Sequence, residues 1–548
     1  MQSYGLTYFG YSQVFGERPT QRSLELRFRK LPQIATLRLM TGLAAMYYNG
    51  QMNEVGAQAR LLRELGGDVS WVDYACGILD SGKWILFHDE LFAGMAKMAL
   101  RFAPRDDRAV EPDFGFRIAE CALMYNELLG MEVLPKVQSG TVEDLLAAEL
   151  RSLPRNRDHR FGIVGRYVRF VDWMKSGEPP KYGWYRSIED DFFEFYGISL
   201  PDYLASCVLF GTLYTGIRDV ESLKIFDPII DVPAWFKTLK DRTFIDRFID
   251  RFAIPTAELV NQWNAEPSVS LSLAALGPLW NRPLIRLDEV HVVAPLPALI
   301  YNAIGEGLYY NLFDRYDDET KGRFSQCFGY FLQEYVREIF DAAYTGAKDV
   351  VVDGDVAYGK GGGFRTTDTV IFEGDDVIFV EVVAKRVNLK GAVLDLDEAS
   401  IRGVLEAGVR KKLKQLHTNV EAYRAGKTFP KRPRPLGQRI FTLIVTPVPY
   451  PHLYVVREYI PRTLAEEGWL QAVTSVEIAD IEEIEILEDS MPRGFRLGLF
   501  LQSKLQSAPN VPIKNALIGR DDVGRGEPVI LRGRAFVDRV AERLRPEP

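Results

Sequence analysis

The sequence predicts an α+β/α/β multidomain chain, with a largely α-helical N-terminal half, an α/β core in the order αβββαβ and a mostly helical C-terminal tail. Two observations carry this. Apolar residues recur at helical spacing through the first half, between breaks rich in Gly, Pro and Asp. Dense β-branched and aromatic runs then appear together between residues 349 and 446, around one strongly amphipathic helix. At 548 residues the chain has room for two to four domains with full cores. The boundaries read as a mainly helical domain over 1–290, a connecting segment over 291–320, a core over 321–450 and a C-terminal extension over 451–548 that packs on the core.

Taken in order, Leu31 to Tyr48, Lys83 to Phe102, Phe116 to Leu129, Val142 to Leu153, Phe161 to Trp173 and Leu200 to Leu213 each show a helical apolar stripe. Pro283 to Leu287 and His291 to Ala294 read as a short hairpin, and Leu299 to Phe313 as a helix. From Phe324 a longer helix is expected to Tyr344, with Phe328, Phe331, Leu332, Tyr335, Val336, Ile339 and Phe340 inward and Glu334 at the edge of that face. Asp349 to Tyr358 reads as the first core strand, followed by the glycine-rich Gly359 to Gly363. That loop lacks the Gly-Lys-Ser/Thr ending of a phosphate-binding P-loop and has no strand-to-helix context.

The stretch from Thr366 to Tyr423 holds the informative pattern. Val370, Ile371 and Phe372 precede a Glu373-Gly-Asp-Asp376 turn, and Val377 to Val383 follow it, which predicts a β-hairpin. The second run is apolar on both faces, as in a central, buried strand. Glu381 and Lys385 interrupt it, and with period two they share one face with Val383. Charges placed there need partners or a metal. Asp368 stands thirteen residues before Glu381, a separation that a hairpin folds back to adjacent strands. Two neighbouring carboxylates repel unless a cation lies between them, and hard oxygen ligands with open positions suit Mg²⁺, or Mn²⁺ in its place. From Ala399 to Arg424, Leu405, Val409, Leu413, Leu416, Val420 and Tyr423 form one apolar stripe, with Lys412, Gln415 and Asn419 together on its flank. Arg439 to Thr446 is a further buried strand, and Val476 to Leu487 a strand and then a capped helix. Phe495 to Leu505 and Arg534 to Leu544 are helices of the tail.

This arrangement resembles the PD-(D/E)XK nuclease superfamily, the restriction-endonuclease-like fold, over about 120 residues. The signature of that family is an acid on one strand and an acid-x-lysine on the next. Here Val383 stands two places after Glu381, and Lys385 two places further, ~6.6 Å along the same strand face. The resemblance implies Asp368 and Glu381 as metal ligands and catalytic acids, Lys385 or Lys412 as the ammonium acting on the developing charge, and Gln415 as an orienting group. It also implies a glutamate from the first core helix, for which Glu334 is the candidate.

Composition bounds the function. A net charge of −8 argues against a surface coated for nucleic acid. Residues 385–434 nonetheless hold thirteen Lys/Arg against five Asp/Glu, a local basic excess that suits a polyanion beside the acids. Four scattered cysteines and the absence of apolar runs of ~18 residues point to a reducing, cytoplasmic setting without a membrane span. With five histidines and no Gly-x-Ser-x-Gly, His-Glu-x-x-His or Cys-x-x-Cys, other hydrolytic and redox chemistries lack their residues. The expected function is Mg²⁺-dependent hydrolysis of DNA or RNA phosphodiesters, in nucleic-acid processing or defence against foreign nucleic acid. The alternative is an inactive nuclease-like module that binds nucleic acid or protein. A homo-oligomeric or protein contact would fall to the helical half.

Overall fold

The computed structural model describes residues 7–544 except 53–55, 68, 106–109, 138–159, 176–186, 238, 240–241, 266–270, 272, 360–363, 385–402, 433–436, 449, 451–454 and 518–519. Lys385, the helix expected over 142–153 and four residues of the glycine-rich loop lie outside the described residues. The chain divides into two compact units, one of residues 1–138, 189–312 and 537–548, the other of 139–188 and 313–536. The fold is mostly helical, with mixed sheets of four and five strands and a helical C-terminus. Among the described residues, no helix is long and apolar enough to cross a membrane.

The first unit is a helical assembly around a small sheet. Its hairpin of Leu284–Arg286 and His291–Val293 forms where the sequence predicts it. One expected helix starts late: Trp84–Ile85 pairs in parallel with Thr7–Tyr8, and the helix runs Asp89–Phe102. His88 sets that start, because its extended backbone and its Nδ1, which accepts from the Leu91 N–H, make it the N-cap. Its Nε2 meets Asn126 Oδ1 at 2.9 Å, and burial holds the imidazole down at about 4, so the ring is neutral.

The second unit contains the candidate site. Its helices include α1 (Arg160–Lys175) and α2 (Asp318–Ala343). Phe170 of α1 packs edge-on against Phe328 and Tyr335 of α2, the apolar face that the heptad-like spacing of α2 exposes to it. The sheet is built from β1 (Val350–Asp353), β4 (Thr369–Glu373), β5 (Asp376–Val382), β6 (Arg439–Thr446) and β7 (Ser475–Asp480). Between β1 and β4 a separate ribbon is formed by β2 (Ala357–Tyr358) and β3 (Phe364–Arg365). The sheet order is β7-β6-β5-β4-β1, antiparallel across β1, β4 and β5 and parallel across β5, β6 and β7. Thus β5 is central and buried at every position, as its two-sided apolar pattern requires. Helix α3 (Lys411–Arg424) connects β5 to β6, and β7 passes into α4 (Ile481–Glu488) through an Asp480/Glu483 capping box.

The β4–β5 turn has two residues, with Gly374 at φ 59°, the position glycine takes in a II′ hairpin. Beside this turn, at the tip of the hairpin, Glu373 accepts the Leu497 and Gly498 N–H groups and thereby caps α5 (Leu497–Ser507). The first core strand is shorter than its sequence suggests. Gly354 at φ 146° and Asp355 at φ 50° turn the chain out of β1, so Ala357–Tyr358 belongs to the ribbon and not to the sheet. A Cβ on Gly354 would lie 2.7 Å from the Asp368 carbonyl oxygen, so only glycine allows this approach.

Candidate functional site

Asp368 immediately precedes β4, and Glu381 is the sixth residue of β5. The register pairs Thr369 with Val380, so one step outward Asp368 faces Glu381 directly. The Val382 N–H donates to Asp368 Oδ2 at 2.7 Å, fixing that carboxylate against β5. The two acids therefore lie on one side of the sheet, as the hairpin pattern predicts. The register of β5 agrees with this on its other face. Val382 is buried, and a Cβ on Gly329 of α2 would lie 2.7 Å from Ala384 Cβ, so α2 covers the side away from the acids.

The ammonium at this pair comes from α3. Lys412 Nζ donates to Glu381 Oε2 at 2.6 Å and to Asp368 Oδ2 at 3.4 Å. Its direction follows from the apolar stripe: Leu413, Leu416, Val420 and Tyr423 are buried against the sheet, and Lys412 leaves the helix beside that stripe. A π-helical turn, Glu406–Arg410, leads into α3, and its Gly408 lies against Val383 on the same side of β5 as Glu381.

The electrostatics follow from two carboxylates meeting one ammonium in a largely dry place. Burial first, and then the neighbouring Asp368, push Glu381 up to about 8, against the lowering effect of Lys412. For Lys412, burial pulls the ammonium down, but Glu381 and Asp368 together outweigh it and leave it above its ordinary value. These directions are compatible when the cluster takes up one further proton on its carboxylates. Lys412 then stays charged and the three groups sum to zero. Any other positive charge entering the site competes with that proton.

The remaining candidates are not gathered here. Gln415 is exposed one turn beyond Lys412, because it lies about 60° further round the helix, on the solvent side of the flank. Glu334 forms a local ion pair with Arg337 one turn along α2 and stays half-exposed. Lys385 lies outside the described residues. Asn419, which helical spacing places on the flank of Lys412, is buried and accepts a hydrogen bond from Tyr358 Oη at 3.4 Å, joining the ribbon to the Lys412 face of α3.

Asp368 and Glu381 fit a divalent cation as a pair of hard oxygen donors with surplus negative charge. Among the described residues, no group of three or more His, Cys, Asp or Glu side chains gathers to hold a metal. A Mg²⁺ ion held by two carboxylates would complete its octahedron with waters and substrate phosphate. No family model, curated protein or solved structure matches this chain.

Proposed function

We propose that the second unit is a metal-dependent phosphodiesterase of the restriction-endonuclease-like, PD-(D/E)XK kind, acting on nucleic acid, with Lys412 of the helix in the place of the strand lysine. The observation that carries this reading is the Lys412 ammonium within hydrogen-bond reach of both Asp368 and Glu381, on adjacent strands. Asp368 and Glu381 would hold Mg²⁺ or Mn²⁺. When bound, the metal supplies Lewis-acid polarisation of a phosphoryl oxygen and a more acidic water. The residues of the chain do the rest. The Val382 N–H holds Asp368 in place, and the sheet and α3 exclude water from Glu381. Lys412 presents a positive charge to the phosphate oxygens as they gain negative charge. With a cation held by the carboxylates, Lys412 would not be needed to neutralise them and its ammonium would be available to the substrate.

One observation favours a second reading, a non-catalytic module that binds nucleic acid or protein. At 2.6 Å the Lys412–Glu381 bond already neutralises one acid internally. Incubation of the full chain with labelled DNA and RNA, with Mg²⁺ or Mn²⁺ and with EDTA, separates the two. Metal-dependent cleavage lost in Glu381→Ala supports the enzyme. Cleavage that is absent from wild type, or retained in Glu381→Ala, rejects it.

A further inference from the structure

The ribbon of β2 and β3 leaves an aromatic surface open beside the acids. Tyr358 and Phe364 stack with ring centroids 5.7 Å apart and planes 28° from parallel. Tyr358 covers one side of Phe364, yet Phe364 remains 60% exposed. An isolated two-stranded ribbon gains little from such a ring in water, so the ring is free to take a partner, and what sets it apart from other exposed apolar residues is its place beside the acids and α3.

Its position shows what it would contact. The Tyr358–Asn419 hydrogen bond fixes the ribbon against α3. Lys412 and Asn419 are seven residues apart on that helix, so they point within about 20° of each other and lie about 10 Å apart along its axis. Between them along the axis, and about 60° round from Lys412 towards solvent, is the exposed Gln415; Lys411 is further round on the same side, exposed, and makes no ion pair among the described residues. In the other direction, Phe364 is four residues from Asp368, at most about 13 Å of extended chain. An open ring, a cation and a polar amide thus lie within a few nucleotides of the paired carboxylates.

Resting on the phosphodiesterase reading, we infer that the substrate is single-stranded nucleic acid, with one base stacked on the outer face of Phe364 and its backbone running along α3 past Lys411 towards Asp368 and Glu381. A ring can stack only on a base whose face is free, which excludes the interior of a duplex. Stacking tolerates any base, so the contact gives affinity and position without sequence preference.

The test is fluorescence anisotropy of the full chain with fluorescein-labelled oligo(dT), oligo(U) and a blunt duplex of equal length, in EDTA so that nothing is cut. Phe364→Ala should weaken single-strand binding by roughly ten-fold, within the range of one lost base stack, and leave duplex binding unchanged. Phe364→Trp should restore it, which a folding defect would not. The inference is overturned if Phe364→Ala binds single strands like wild type, if strand and duplex affinity fall together, or if wild type prefers the duplex. Cleavage assays on the same variants separate the two claims. Phe364-dependent binding without any metal-dependent cleavage supports the stacking site and rejects the hydrolytic reading. Cleavage by wild type with no effect of Phe364→Ala on affinity does the reverse.

Discussion

Glu381 on β5 and Glu477 on β7 are buried acids in one sheet, separated by a single strand, and each meets a lysine from a helix. By register they point to opposite faces, since Ile478, not Glu477, is in line with Glu381 through Ile444. Glu477 receives Lys504 of α5 at 2.8 Å, and Lys504 also donates to the Pro509 carbonyl oxygen. One acid meets one base and both are almost wholly buried, so that cluster is electrically closed. On the other face, among the described residues, two acids share Lys412 and a negative charge is left over. Burial alone therefore does not mark the functional acid, because burial raises both. What distinguishes the two clusters is the charge count among the described residues, balanced at Glu477 and one negative charge in surplus at Glu381, and the proposed cation site rests on that surplus.

The largest difference should appear in activity. Glu381→Ala is expected to reduce metal-dependent cleavage by about 10³-fold or more at saturating substrate, since it removes half of the ligand pair. Glu477→Ala should leave kcat per folded molecule within about two-fold, measured on the same labelled strand. Equal losses from both would show that the two acids are not different in kind.

The next effect is on stability. Glu477→Ala strands the Lys504 charge in the core and should cost about 3–5 kcal/mol in urea unfolding. Replacing both partners, Glu477→Leu with Lys504→Leu, should be nearly neutral. A double variant as unstable as the single one would mean that the closed pair is more than a matched charge.

A third test uses pH. Glu381 ordinarily titrates near 4.5 and is raised to about 8 in the fold. The protonated form is thus favoured by folding, so this contribution to stability is fully present below 4.5 and is lost as pH rises towards 8. Between those limits it amounts to something on the order of 5 kcal/mol. Glu381→Gln should remove that decline, so that thermal unfolding curves of metal-free wild type and variant separate most at pH 8. Curves that stay parallel from pH 5 to 8 would contradict the unbalanced cluster.

The smallest effects distinguish neighbouring lysines. Lys412→Ala should lower kcat by about 10²-fold or more, and Lys411→Ala by no more than about two-fold with short substrates at saturation. Reversed effects would move the working ammonium to the outer face of α3.

Much of this site was legible because it depends on period and turn chemistry. A II′ turn at Gly374 and a two-sided apolar run set the register that opposes Asp368 to Glu381, and the stripe from Leu413 to Tyr423 aims Lys412. The rest depends on contacts that spacing does not encode. Helical spacing places Gln415 near Lys412 but cannot say where solvent begins, and Glu334 is taken by Arg337, three residues away. The break after β1 rests on the αL backbone of Asp355, which a run of valines conceals. The partner of Glu477 lies 27 residues away in another helix, so its neutral balance cannot be counted from the strand.

The wide turn at Glu406–Arg410 has a consequence for how this helix can change. A π turn holds about one residue more than an α turn, so it acts as a phase joint between Val404–Leu405 and the helix that bears Lys412. Loss of a single residue there would close the wide turn to an ordinary α turn and leave the two helical pieces nearly in phase, whereas the same loss from a regular α turn would rotate one against the other by about 100°. The π turn therefore absorbs one residue of chain while Leu405 and Val409 stay in the core and the Lys412 ammonium stays at the acids.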